Sequence, residues 1–425
     1  MLRTLFIALL GAVAYGSVSA EAGEQKFSLS GRIEGLRKGD TLRFEHVLLP
    51  TWATEPAFDL VVRKPGVFDY RGTQEHDQYY VMTYFPKEGK AKACGLSGKP
   101  IIVTGGDRIG MTGTADEIYY CALSGGIYDD PMLAESLRIE DSIGRIRGSY
   151  RRQVDEALQR KDTAASREWL QKFNLFYQDN QNNPGLARGR AAWKAYEKAN
   201  PQGTLYLLVE RISSISYKPL AESKAVYETF SPELKESYYG RLYAEEMAAM
   251  ERLEIGQPAP DFSVVTTGGD SVTRDDCRGC YLLIYHWGMC PGSIYLDGQV
   301  RDLHDRYKDK GLKVMGLTES IATIRKVYEG LPEDRKTPLA GTEDIRPVLE
   351  KMLAHDWTEV ELETDHPDNK SIMKAYNFSG WPFFILIGPD GTIRARGFSE
   401  AFFEAREILG KELNLDETGG VKSAE

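Results

Sequence analysis

The run "CYLLIYHW" at residues 280–287 is apolar along nearly its whole length. A strand of that composition has no polar face to offer water, so it reads as a buried strand within a sheet covered on both sides. The residues that follow, "GMCPGS", end the strand and open a helix. Proline is tolerated at a first helical position because its missing N–H would be unpaired there anyway. The expectation is a strand over 280–286 and a helix over about 292–308. Cys290 falls between them, at the helix N-terminus, where free amides and the positive end of the helix dipole favour a thiolate over a thiol.

The rest of the C-terminal region continues the alternation. After the opening "IGQPAPDFSVVTTGGD", the strand "LKVMGL" ends at Thr318, and helices are expected over 320–329 and 343–354. The strand "TEVELE", the helix "NKSIMKAYNF", the hairpin "FFILIGPDGTIRARG" and the helix "EAFFEAREILGKEL" complete it. Strands alternating with helices and then a hairpin around "PDG" give an α/β unit, a mixed sheet with helices on both faces. Pro382 stands immediately before the hairpin's first strand. Proline cannot donate to a ladder and belongs at strand beginnings or edges, and a cis X–Pro bond makes a sharp local turn.

Upstream the pattern differs. "FSLSGRI", "DTLRFEHVLL", "FDLVVR", "QYYVMTYF", "KPIIVTGGDRIGMTG" and "EIYYCALSG" each read as a strand, punctuated by Gly, Pro and Asp, which favours an all-β sandwich or barrel. From about 131 to 253 apolar residues recur at helical spacing, as in "ESLRIEDSIGRIRGSYRRQVDEALQRK" and "SPELKESYYGRLYAEEMAAMERL". Residues 1–20 combine Arg3, the apolar "LFIALLGAVA" and a small-residue "VSA" site, the pattern of a cleaved secretory signal. Its apolar core is too short for a bilayer, which needs roughly 20 residues. The expected order is a signal peptide (1–20), a β-rich domain (21–130), a helical connector (131–253), an α/β domain (254–414) and a disordered tail (415–425). The mature chain is expected in the periplasm or cell envelope without a membrane span. A net charge of −10 argues against nucleic acid and anionic membrane surfaces.

Export makes the five cysteines informative, because disulfides persist outside the cytosol. Cys94 with Cys121, and Cys277 with Cys280, are candidates for structural disulfides, which leaves Cys290 as the odd thiol. Cys280 cannot serve Cys290: the extended residues between them span roughly 25 Å at about 3.3 Å each, and a disulfide needs Cα atoms within about 7 Å. One Cys-x-x-Cys supplies only two metal ligands, and the histidines show no ligand spacing, so neither metal nor cofactor is expected. "TGGD" at 104–107 and 267–270 reads as turns, lacking the lysine and helix of a phosphate loop. His286 could act as a base, against the commoner reading of a satisfied core histidine.

Taken together, "IGQPAPDF", a strand ending at Cys290, "DKGLKVMGL" and "GWPFFILIGPDG" resemble the thioredoxin-like, TlpA-type thiol-disulfide oxidoreductases related to the AhpC/TSA group, over about 254–414. The upstream "FSLSGRIEGLRKGDTLRF" and "YEKANPQGTLYLL" are similar to Bacteroidetes proteins of this kind, which carry a β-rich domain of unknown function and a helical connector. The resemblance implies Cys290 as the attacking cysteine, Pro382 as the cis-proline beside it, and Trp381, Trp287 and Met289 against the substrate. Three positions depart from the pattern. Ser293 replaces the resolving cysteine, Met289 the usual aromatic residue, and Ile284 a buried acid; about twenty residues near 322–342 are additional. A peroxiredoxin is disfavoured, since Leu283 and Trp287 occupy its proline and threonine positions. Without a second cysteine, release must come from another thiol, either external or on the substrate. The implied function is a monothiol oxidoreductase acting on cysteine-containing exported proteins or small thiols, with a membrane electron donor as a further partner. The alternative is a catalytically degenerate envelope protein that binds a protein or peptide.

Overall fold

The strand β1 (Gln25–Glu34) buries Phe27, Leu29 and Ile33 on one face, the two-residue period expected of a pleated strand with one side on a core. The computed structural model describes residues 24–50, 53–89, 98–176, 184–329, 346–363, 366–378 and 380–413, and all that follows concerns these. The signal peptide, the tail and Cys94 lie outside them, as do residues 330–342 of the additional segment. The chain forms two compact units: residues 1–215 with 221–244, and 216–220 with 245–425.

In the first unit, β1 joins β2 (Thr41–Leu48), β3 (Ala53–Val61), β4 (Val67–Gln74), β5 (Gln78–Phe85), β6 (Lys99–Val103), β7 (Arg108–Thr114) and β8 (Ala122–Ser124) in two four-stranded sheets. Their orders are β4-β1-β7-β8 and β3-β2-β5-β6. One core takes Leu29 and Ile109 from the first sheet and Phe44, Met82 and Ile101 from the second. Three details differ from the sequence reading. "KPIIVTGGDRIGMTG" is two strands, because Asp107 Oδ2 accepts from Thr104 N–H at 2.7 Å and closes a turn with Gly106 at φ 91°. "EIYYCALSG" begins in a 3₁₀ turn over Ala115–Tyr120, with three consecutive residues buried, a pattern no half-buried strand allows, and only Ala122–Ser124 is a strand. β4 went unread because its outward residues Asp69, Arg71 and Thr73 dilute the apolar signal; it pairs with β1 from Val67 to Gln74.

The helices are α1 (Pro131–Gln159), α2 (Thr163–Leu175), α3 (Pro184–Ala199), α4 (Leu205–Ile212), α5 (Leu220–Glu228), α6 (Pro232–Glu236) and α7 (Tyr238–Glu251). α1 starts where Asp130 accepts from the N–H groups of Met132 and Leu133 at 2.8 and 3.0 Å, satisfying two of the free amides of its first turn. α4 falls within the expected helical connector, and its start is set by Thr204 capping Leu207 N–H.

The second unit holds a two-stranded ribbon, β9 (Ser263–Val265) and β10 (Ser271–Thr273), and a five-stranded sheet. The sheet comprises β11 (Tyr281–His286), β12 (Leu312–Thr318), β13 (Thr358–Glu361), β14 (Phe383–Ile387) and β15 (Ile393–Gly397), ordered β13-β12-β11-β14-β15. β11 lies at the centre, parallel to β12 and antiparallel to β14. The helices are α8 (Pro291–Tyr307), α9 (Ile321–Glu329), α10 (Arg346–Met352), α11 (Pro367–Ala375) and α12 (Ser399–Glu412). All six residues of β11 are buried. Tyr281, Leu283 and Tyr285 pack with Leu296 and Val300 of α8 and Phe402 of α12. Leu282 and Ile284 pack on the opposite face with Ile372 and Tyr376. Each such aliphatic side chain contributes roughly 1.5–3 kcal/mol by leaving water, which anchors the strand that leads to Cys290. No described helix is long and apolar enough to cross a membrane.

Candidate active site around Cys290

Cys290 is the N-cap residue of α8, with extended backbone (φ −97°, ψ 158°) and Pro291 at the first helical position. Its Sγ accepts from Ser293 N–H at 3.3 Å and lies 3.2 Å from Ser293 Oγ. Gly288 N–H donates to the same Oγ at 3.3 Å. The serine oxygen thus accepts twice, from the Gly288 amide and from the Cys290 thiol. The sulfur therefore accepts one amide of the first helical turn and is held against the Ser293 hydroxyl at the helix N-terminus. Cys290 is 8% exposed and Ser293 is fully buried.

The Trp381–Pro382 peptide is cis, and the pair packs closely against the Cys290 loop. A Cβ at Gly288 would stand 2.4 Å from the Trp381 ring; one at Gly292 would stand 2.7 Å from Pro382 Cδ and 3.9 Å from Cys290 Sγ. Both glycines are there for close approach. His286 closes the arrangement from below. Trp381 Nε1–H donates to His286 Nε2 at 2.8 Å, and His286 Nδ1 lies 3.0 Å from Gly380 O. An indole N–H only donates and a carbonyl only accepts, so the imidazole is the neutral Nδ1–H tautomer. Burial pushes its pKa down to about 3, against the raising effect of the Gly380 bond. With both nitrogens engaged, His286 is a core histidine that holds Trp381, not a base for Cys290.

The structure thus brings Cys290, Ser293, Trp381 and Pro382 together. Met289 is half-buried and packs on the adjoining core. Trp287, expected against the substrate, is instead fully buried with its indole N–H on Glu359, so it offers no surface to a ligand. Cys277 and Cys280 are both free thiols, and the bridge suggested by "CRGC" is not formed. Cys277 lies in the core beside Phe262 and Leu282, and burial raises its pKa, the behaviour of a small apolar residue rather than half of an exposed staple. Cys121 is likewise a free thiol in the β core, its pKa pushed up to about 11 by burial; its expected partner Cys94 lies outside the described residues.

One group was missed entirely by sequence reasoning. Ile284 is apolar and buried as expected, but acids stand behind the site from other elements. Glu359 of β13 accepts from Trp287 Nε1 at 3.1 Å, from Trp357 Nε1 at 2.7 Å and from His355 Nδ1 at 2.6 Å. His355 Nε2 meets Asp297 Oδ1 of α8 at 2.7 Å, and Asp297 is paired with Arg301. A Cβ on Gly316 would fall 2.2 Å from Glu359 Oε1, so β12 leaves a notch for this carboxylate. The only local signal is "HDWTE", with histidine and glutamate four residues apart.

No family model matches the chain. Two curated relatives are similar to part of it, both of them thiol-disulfide oxidoreductase ResA from strains of Bacillus cereus. The first is 26% identical over 121 residues, 26% of this chain and 70% of that protein. The second is 27% identical over 100 residues, 23% of this chain and 58% of that protein. Among solved structures, the thioredoxin domain of a thiol-disulfide oxidoreductase from Bacteroides vulgatus matches at 22% identity with a TM-score of 0.27, covering 38% of this chain and 99% of that one. A thiol-disulfide oxidoreductase from Bacteroides fragilis matches at 23% identity with a TM-score of 0.25, covering 36% and 99%. The curated similarities support an enzyme of the thioredoxin-like thiol-disulfide oxidoreductase kind.

Proposed function

We propose that the protein is an exported, monothiol thiol-disulfide oxidoreductase of TlpA type in which Cys290 is the nucleophile and Ser293 an activating donor. The observation that supports this reading is the place of Cys290 Sγ at the start of α8, accepting the Ser293 amide and donating to the Ser293 hydroxyl oxygen. The Cys290 thiolate attacks one sulfur of a substrate disulfide; a Cys290–substrate bond forms and the other sulfur leaves as a thiolate. Ser293 has no sulfur to complete the exchange. A small external thiolate then attacks Cys290 Sγ, expelling the second substrate thiolate, and a second small thiolate releases Cys290. Two small thiols become one disulfide while the substrate disulfide becomes two thiols. Alternatively a thiolate of the substrate itself attacks its own bonded sulfur, frees Cys290 and leaves a rearranged disulfide. Pro382 and Trp381 form the wall beside the sulfur on which an extended cysteine-containing peptide would lie. The signal-like residues 1–20 support work in the periplasm or cell envelope on exported proteins or small thiols.

Insulin reduction with and without glutathione tests the mechanism. Turnover is expected only with the small thiol, and Cys290→Ser is expected to abolish it. Turnover independent of added thiol, or retained in Cys290→Ser, overturns the reading.

A further inference from the structure

The segment 287–297 carries the thiol, and both of its ends are tied to one buried charge centre. At its start, Trp287 donates to Glu359; at its end, Asp297 meets His355. His355 faces a carboxylate with each ring nitrogen, at 2.6 and 2.7 Å, and its side chain is wholly buried. Two carboxyl groups, one on each ring nitrogen, favour the doubly protonated, cationic form of the imidazole. It lies between two indoles: stacked on Trp357 with ring centroids 3.9 Å apart and edge-on to Trp287 at 5.1 Å, surroundings that suit a cation. Burial opposes the charge, but the bonds to Asp297 and Glu359 outweigh it and raise the His355 pKa.

We propose that Asp297, His355 and Glu359 act as a positioning and charge-setting centre for Cys290, fixing both ends of its segment and balancing the charge beneath it. The proposal rests on Cys290 being the reactive thiol. The charges nearly cancel: Asp297 and Glu359 against His355 and Arg301, whose other N–H groups reach the Lys351 carbonyl at 2.8 Å. Tyr285 lies between the centre and the sulfur, its hydroxyl 3.3 Å from Ser293 O; burial holds its phenol un-ionised. His286, on the same strand, is neutral. Asp297 lies seven residues beyond Cys290 on the same helix, about 10 Å along its axis at 1.5 Å per residue. The sign of the coupling follows. Removing the His355 cation leaves excess negative charge beneath the thiolate and opposes it. Removing the Glu359 anion, while His355 keeps Asp297 as its partner, leaves excess positive charge and favours the thiolate.

The test is the pH–rate profile for alkylation of Cys290 in the full chain, with the labelled residue identified by mass spectrometry, for wild type, His355→Gln and Glu359→Gln. His355→Gln is expected to move the midpoint upward and Glu359→Gln downward, each by about 0.6–1.2 pH units, as one charge at about 10 Å gives for an effective dielectric of 20–40. Opposite shifts cannot come from loosening alone. A glutamine at 359 keeps one acceptor oxygen, enough for Trp357 and His355 though not also for Trp287, so this variant decides the matter if His355→Gln does not fold. Midpoints that move together, or a Glu359→Gln midpoint within about 0.3 of wild type, overturn the proposal while leaving the oxidoreductase reading intact. A wild-type Cys290 that is not alkylated at all overturns both.

Discussion

Acid is expected to unfold this protein partly through one histidine. His286 is 2% exposed and neutral, and a second proton could enter only at Nε2, where the Trp381 indole already donates. Its pKa falls from the ordinary 6.5 to about 3 in the fold because burial disfavours the cation. Between those values the unfolded chain binds a proton that the native chain does not, so stability falls as pH falls across that window. At pH 5 the loss is 1.5 units below 6.5, about 2 kcal/mol, and it saturates below pH 3 at about 5 kcal/mol. His286→Gln isolates the effect: its amide can donate to Gly380 O and accept from Trp381, but does not titrate. The assay is urea unfolding of wild type and variant at pH 7, 6 and 5, followed by tryptophan fluorescence. Other titrating groups cancel in the difference between the two proteins. The wild-type advantage is expected to shrink by about 2 kcal/mol from pH 7 to pH 5. A difference that stays constant within about 0.5 kcal/mol would refute the buried, neutral assignment and reopen His286 as an ionisable neighbour of the site.

Two substitutions address the site itself. Ser293→Cys places a second sulfur where the hydroxyl now lies 3.2 Å from Cys290 Sγ; it is expected to confer insulin reduction that continues without glutathione, and an unchanged glutathione requirement would contradict the assignment of Ser293 as the missing resolver. Gly292→Ala sets a methyl 2.7 Å from Pro382 Cδ, an overpacking expected to cost about 1–3 kcal/mol, read as a lowered thermal midpoint together with slower mixed-disulfide formation. A variant as stable and as fast as wild type would mean that Pro382 does not need its present approach.

Much of the second unit was legible because local and tertiary signals agree there. The apolar run of β11 is buried on both faces, and Pro291 marks the first residue of α8. The β-rich region was read less well. At Ala115–Tyr120 the residues have strand-like composition, yet Tyr119 turns inward and its hydroxyl accepts from Tyr84 N–H at 3.0 Å, a contact 35 residues away that favours a turn. The polar face of β4 hid a strand whose partner is β1. The Asp297–His355–Glu359 centre was out of reach for the same reason on a larger scale. Its members come from a helix, a loop and a strand, and the separation of 58 positions between Asp297 and His355 leaves no spacing to read. Trp287 showed the converse: its place next to Cys290 in sequence suggested a substrate contact, while the strand's alternation sends its side chain into the core.

The reacting atom of this protein is also the cap of its own helix. Cys290 Sγ receives the Ser293 amide that would otherwise be unpaired in the first turn of α8. As a thiolate it offers that amide a full negative charge; once bonded to a partner sulfur it offers only neutral lone pairs, a weaker acceptor. The start of the helix is therefore held most firmly when the enzyme is empty and reduced, and least firmly in the covalent complex. By thermodynamic reciprocity, whatever firmness α8 loses on forming the adduct pushes the adduct toward release, so the helix works, in a small way, as a spring that favours letting go.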